Sequence, residues 1–211
     1  KNKIKTPVCI LNIGGISNIT SIINLNNFSE IKSRDLGPGN CLIDNWVRKN
    51  SNERFDKGGN LAKTGTINQI ILEQAQELYS NRLNKNKLSF DVGDFDISFA
   101  RGLSLQDGVA TLTEFTGELI SVALFDEIKK FNIKKVLLCG GGRKNKILIE
   151  KIKNNISSNV EFESIDSFGI DGDYIESQAF AFLAIRSILN LPLSFPTTTG
   201  CNKPCVGGNV I

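Results

Sequence analysis

PVCILNIGGISNITSIINLNNFSEIKSRD, residues 7–35, decides the fold. It carries three short runs rich in β-branched and apolar residues, Pro7–Ile13, Asn18–Leu25 and Ser29–Asp35, and each reads as a strand. The connections are Gly14-Gly15-Ile16-Ser17 and Asn26-Asn27, both tight-turn sequences. Turns this short join neighbouring strands antiparallel, so the three runs form a meander.

Downstream, GPGN at 37–40 ends the third strand, with Asn40 placed to cap a helix. CLIDNWVRKN then sets Leu42, Ile43, Trp46 and Val47 on one helical face. A second helix is expected over Ile67–Leu83, its inner face made of Ile70, Ile71, Ala75 and Leu78. Residues 89–105 are irregular and aromatic, a loop expected to pack on the domain. Gln106–Phe131 is apolar on more than one side, which predicts a helix buried on two faces. The last third alternates: strand Lys135–Cys139, helix Asn145–Asn155, strand Asn159–Ile165, helix Asp173–Leu189. A short apolar strand closed by Gly140-Gly141-Gly142 and followed by a helix is a parallel βα unit. The fold class is therefore α/β: three antiparallel strands, a helical section, then alternating helices and parallel strands. That is the order of a ribonuclease H-like domain, the unit that actin-like ATPases and sugar kinases use twice, and one copy accounts for residues 1–211. The Pro-, Thr- and Gly-rich tail, 192–211, is expected to be irregular.

The 211 residues are 40% hydrophobic and 22% charged with a net charge of +3, the composition of a globular protein. No uninterrupted apolar run nears the roughly 20 residues of a membrane span, and residues 1–7 show no apolar block followed by a small-residue cleavage site, so a cytoplasmic protein without a membrane partner is expected. The Lys/Asn-rich stretches at 24–27, 81–87 and 144–155 lack aromatic interleaving and read as solvated loops and helix faces, not a nucleic-acid surface. There is no His, which removes Ser-His and Cys-His catalysis; the five scattered cysteines read as reduced thiols. Acid–base chemistry falls to carboxylates. The chain has no Met and begins at Lys1, so a preceding segment is expected upstream.

Four strings carry candidate chemistry. The turn Asn12–Asn18, with Gly14, Gly15 and Ser17, can bring backbone N–H groups to an anion because its glycines tolerate positive φ; the alternative is a plain hairpin. Gly140, Gly141, Gly142 and Asn145 sit where open α/β sheets bind nucleotides, or form only a tight turn. Asp35 and Asp44 bracket Gly-Pro-Gly and can point into a cleft to take a proton, hold Mg²⁺ or accept sugar hydroxyls; equally, they are a turn former and a first-turn acid. Asp171, Asp173 and Glu176 open an apolar helix, the usual place of capping acids.

In this order the strings resemble the signature blocks of anhydro-N-acetylmuramic acid kinases: LNIGGISNIT from Leu11, DLGPGNCLIDNW from Asp35, LLCGGGRKN from Leu137 and DYIESQAFAFLA from Asp173. GLSLQDGVATLTEFT from Gly102 and SFPTTTG from Ser194 extend the likeness, so that it covers Val8–Ile211. The resemblance implies an enzyme that uses ATP and Mg²⁺ to open the 1,6-anhydro ring of a muramic sugar and phosphorylate the released O6, giving N-acetylmuramic acid 6-phosphate in peptidoglycan recycling. It further implies Asp35 as general base, Asn12, Gly14, Gly15, Ser17 and Asn18 as a phosphate turn, and Gly140, Gly141, Gly142 and Asn145 as the adenosine-side turn. Asn40, Asp44 and Glu176 would line the sugar cleft; no metal ligand is assigned, and the full-length protein would be a homodimer. The family's N-terminal GTSxDG phosphate loop is absent and expected upstream of Lys1, so residues 1–211 alone are expected to be inactive. Two other readings share the fold: a different actin-like sugar kinase or ATPase, and a non-catalytic nucleotide-binding module.

Overall fold

A computed structural model describes residues 4–83, 89–156 and 159–209. Residues 84–87 of the stretch expected to be a solvated loop lie outside them. Five strands, β1 (Val8–Ile13), β2 (Ile16–Ile22), β3 (Ile31–Pro38), β4 (Lys135–Cys139) and β5 (Glu161–Ser164), form one sheet in the order β3-β2-β1-β4-β5. The pairs β3–β2 and β2–β1 are antiparallel, and β1–β4 and β4–β5 parallel. A meander extended by two parallel strands on the side of β1 is the ribonuclease H-like arrangement expected of the sequence.

The helices are α1 (Cys41–Asn50), α2 (Asn60–Thr64), α3 (Gln69–Leu83), α4 (Leu105–Phe131), α5 (Lys146–Asn154), α6 (Ile175–Ile188) and α7 (Pro196–Thr199). Strand alternation turns Cys9, Leu11 and Ile13 of β1, with Val136 and Leu138 of β4, toward Ile120 and Leu124 of α4 and Leu148 and Ile152 of α5. A second cluster gathers Leu42, Trp46 and Val47 of α1, Leu72 and Tyr79 of α3, Phe95 and Ile97, and Val109, Leu112 and Phe115 of α4. Helix α4 therefore runs through both clusters, as its two-sided apolarity predicts. Among the described residues it is also the one helix long and apolar enough to cross a membrane, which a count of unbroken apolar runs missed; 67% of its most apolar window is buried inside the protein.

Four local expectations are corrected. β3 continues through Leu36-Gly37-Pro38, pairing with Ser17 and Ile16 across a bulge, because an edge strand tolerates a proline that cannot donate. β2 begins at Ile16, so the hairpin turn shrinks to Gly14-Gly15, and neither glycine has positive φ. The inner face of α3 is Leu72, Ala75 and Tyr79, leaving Ile70 69% and Leu78 47% exposed. The tail is not irregular throughout: Ser194 and Cys205 form a bridge, α7 follows Phe195, and the Phe195 ring stacks on Phe28 at 4.8 Å.

Candidate active site

Both glycine turns lie at the same end of neighbouring strands. Asn12 of β1 is in register with Cys139 of β4, so the hairpin Gly14-Gly15 and the turn Gly140–Gly142 leave the sheet side by side. The three glycines of the second turn differ in what holds them. Gly140 has φ +77°, and a Cβ there would strike the Asn12 side chain and the Ile13 backbone. A Cβ on Gly142 would enter the Ile13 side chain and lie 3.0 Å from the Asn40 amide nitrogen. At Gly141 a Cβ would meet nothing within 4 Å. Gly140 and Gly142 are thus required by backbone geometry and packing, whereas Gly141 faces open space.

Asn40 sits where the turns meet. It occupies the cap position of α1, but its side chain makes no cap bond; Nδ2 donates instead to the carbonyls of Ile13, at 3.4 Å, and Gly14, at 3.2 Å. The Gly-Pro-Gly loop is stitched to the hairpin by further bonds, from Gly39 N and Cys41 N to Gly15 O and from Asn40 N to Gly14 O. Ser17, assigned to the phosphate turn, is corrected: it is 0% exposed, and its hydroxyl donates to the Gly37 and Pro38 carbonyls. It fixes the loop and has no surface to offer a ligand.

Asn12 pairs with Asn18, and Asn18 with Asp35, so the three side chains form a polar row across β1, β2 and β3 on the sheet face opposite α4 and α5. The Cys139 thiol joins the row at 3.7 Å from Asn12 Oδ1, and burial pushes that thiol up to about 11, which keeps it protonated at neutral pH. One oxygen of Asp35 accepts the Phe90 N–H at 2.7 Å. Partial burial raises the Asp35 carboxyl above its ordinary value, an effect the Phe90 bond opposes. A carboxylate beside this polar row can accept a proton from a bound water or hydroxyl.

Beside the turns opens a cavity of about 310 Å³, walled by Asn40, Asp44, Phe55, Asp56, Gly141, Lys144, Asn145 and Asp173 among others. Burial lifts Asp44 to about 6, with Asp56 adding to the rise and Arg48 opposing it. Asn145 caps α5 by accepting the Leu148 N–H at 3.2 Å and is only 6% exposed, so its side-chain oxygen is already committed. Glu176, in the first turn of α6, is exposed and forms no part of this wall. Thus the structure joins Gly141, Asn40, Asp44 and Asn145 at the cavity and aligns Asn12, Asn18 and Asp35 in the row.

Sequence reasoning missed Phe55, Asp56, Lys144 and Arg143. The Arg143 side chain is 8% exposed and donates to both oxygens of Asp166, at 2.8 and 3.1 Å, to Asp173 at 2.6 Å and to the Gly140 carbonyl at 3.0 Å. These bonds hold the Asp166 carboxyl well below the usual range and lower that of Asp173, with Arg143 the largest cause for each. The clamp fastens the segment before α6 to the glycine turn, where Gly140 N also donates to Gly172 O. An arginine after three glycines was the available signal, but two acids more than 20 residues away decide its role. Nothing in the periodicity of 51–66 marks Phe55 or Asp56.

A family model described as anhydro-N-acetylmuramic acid kinase matches residues 2–211. The chain belongs to the anhydro-N-acetylmuramic acid kinase family. It is 47% identical over 213 residues to the family member of that name from Pelagibacter ubique, covering 100% of this chain and 56% of the relative. Members from Zymomonas mobilis and Rhodospirillum rubrum are 35% and 38% identical, covering 97% and 96% of this chain and 54% and 52% of themselves. The chain therefore spans about half the length of the curated relatives it matches. Among solved structures, an activator of the 2-hydroxyisocaproyl-CoA dehydratase from Clostridium difficile with bound ADPNP is 13% identical, with a TM-score of 0.48 over 81% of this chain and 57% of that one.

Proposed function

We propose that residues 1–211 form the C-terminal, nucleotide-side half of an ATP-dependent kinase that opens the 1,6-anhydro bond of anhydro-N-acetylmuramic acid and phosphorylates O6. The observation that carries this reading is the pairing of two glycine turns at one sheet end, with Gly141 facing open space beside a cavity large enough for part of a nucleotide. Gly141, Lys144 and Asn145 would border the adenosine side. Gly14 and Gly15 would face the phosphates, and Asn40 would fix both turns.

Asp35 is the base. Water bonds to the anomeric carbon as the bond from that carbon to O6 breaks, and the water proton passes to Asp35. The freed O6 attacks the γ-phosphorus, the bond to the β-phosphate oxygen breaks, and ADP leaves with its charge. Magnesium travels with ATP and needs only one or two carboxylates besides phosphate oxygens. Among the described residues no group of three or more acids or thiols could hold a metal ion alone. Of the cavity carboxylates, Asp56 already accepts the Leu61 and Ala62 N–H groups and Asp173 is bound by Arg143 and Lys144, so Asp44 fits that role best. Glu176 would act on the sugar from the side that the rest of the full-length protein closes. Peptidoglycan recycling, a cytoplasmic location and a homodimer belong to the same proposal.

The test joins the segment that the Pelagibacter ubique relative has and this chain lacks to residues 1–211. The fused protein is expected to transfer phosphate only when ATP and the anhydro-sugar are both present, and residues 1–211 alone to transfer none. Asp35→Asn should lower kcat by at least ~100-fold. Phosphate transfer that ignores the sugar, or an Asp35→Asn protein of full activity, would overturn the reading.

A further inference from the structure

Helix α6 has the composition of an interior element and the exposure of a surface one. None of its residues is buried, and Phe180, Phe182, Ile185 and Ile188 are 71%, 58%, 57% and 68% exposed, with Leu189 beyond its end at 60%. At about 100° per residue these five side chains spread over roughly 200° of the helix. A helix apolar over so wide an arc belongs inside a protein. An exposed apolar patch above a few hundred Å² marks an interaction site.

Among the described residues, the hydrogen bonds that tie α6 to its surroundings lie at its ends. Its root is held by the Arg143 clamp on Asp173 and the Gly140–Gly172 bond, and its far end by Arg186 to the Pro192 carbonyl and Ser187 to the Gly207 carbonyl. We propose that the exposed face of α6 is the seam on which the segment present in the longer family members, and missing from residues 1–211, packs. Three observations favour that occupant. The matched relatives extend to nearly twice the matched length, which supplies a body large enough to cover a wide face. Asp173, two residues ahead of α6, lines the cavity, so whatever covers α6 arrives beside that cavity. A second copy of this chain, paired helix to helix about a two-fold axis, would bury a narrow stripe and leave most of the arc in water. The inference rests on family membership and the packing of α6, not on the kinase reading.

The experiment follows the fate of one position with and without the missing segment. Cys201 and Cys205, the cysteines that are not buried, are first changed to Ser, and Phe182→Cys supplies a single accessible thiol. In residues 1–211 alone this thiol is expected to react with a maleimide as fast as a free thiol in solution. In the protein fused to the Pelagibacter ubique segment it is expected to react at least ~10-fold more slowly, while Glu150→Cys on α5 reacts alike in both. Equal rates at position 182 would overturn the proposal. So would slowing in residues 1–211 alone that vanishes on dilution, which would make a second copy the occupant. Hydrogen exchange over 175–188, read without any substitution, decides the matter independently of whether the variants fold: protection gained in the fused protein supports the seam, and unchanged exchange refutes it. Neither measurement uses ATP or sugar, so failure of the kinase proposal leaves this result standing.

Discussion

Three consecutive glycines carry three different constraints. Gly140→Val forces a side chain onto a backbone at φ +77° and into Asn12 and Ile13, and should cost more than about 2 kcal/mol in urea denaturation. A Cβ on Gly141 meets no described atom within 4 Å, so the thermal midpoint of Gly141→Val should move by less than about 2 °C while ATP affinity of the fused protein falls at least tenfold, or about 1.4 kcal/mol by titration. Unchanged affinity would reduce the turn to a structural role. Asp44 makes a second prediction. Burial raises its folded value to about 6, above the unfolded value near ~3.9, so the folded state holds the extra proton between those two pH values. Stability contributed by that proton is present below the window and lost as pH rises through it. Asp44→Asn should flatten the decline between about pH 4 and 6 and leave the protein more stable at pH 7 by on the order of 1 kcal/mol, the shift being discounted because the group is partly solvated. Urea melts at the two pH values check it, and a slope like that of the parent would exclude Asp44 as the source.

Helix α3 shows where periodicity stops being enough. Ile70, Ile71, Ala75 and Leu78 satisfy a 3.6-residue repeat, and so do Leu72, Ala75 and Tyr79, with Ala75 common to both. Tertiary partners choose the second set: the Tyr79 ring packs 5.5–5.6 Å from Phe115 and Phe95, and its hydroxyl donates to the Asp96 carbonyl while accepting the Asp96 N–H at 2.8 Å. Tyr79→Phe should therefore cost about 1–2 kcal/mol by urea denaturation, whereas Leu78→Ala should stay within about 0.5 kcal/mol. Equal costs would mean the buried face is misassigned. Contact between α1 and α4 gives the matching case, because a Cβ on Gly108 would run into the Trp46 indole. Gly108→Ala should destabilise by about 1–3 kcal/mol even though alanine is the better helix former. A stabilised variant would show that Trp46 can move aside.

At the largest scale, the described residues form two buried clusters threaded by α4, the first helical and the second under the sheet. Since one 27-residue helix contributes to both, they should unfold together. Trp46, the only tryptophan, reports the first cluster by fluorescence, and hydrogen exchange in β1 and β4 reports the second. Coincident midpoints in urea are expected, and separated ones would show that α4 breaks between the clusters. The sequence by itself determined the strand meander, the parallel βα unit, the family and the glycine turns, because each is written in local spacing: alternation, tight-turn residues and short strings. Tertiary structure alone decided that Asn40 braces the hairpin instead of capping its helix, that Ser17 is sealed inside, that Arg143 clamps two distant acids, and which face of α3 is buried. Those outcomes depend on atoms far apart in the chain competing for one donor, one acceptor or one space, and no local pattern records which of them wins.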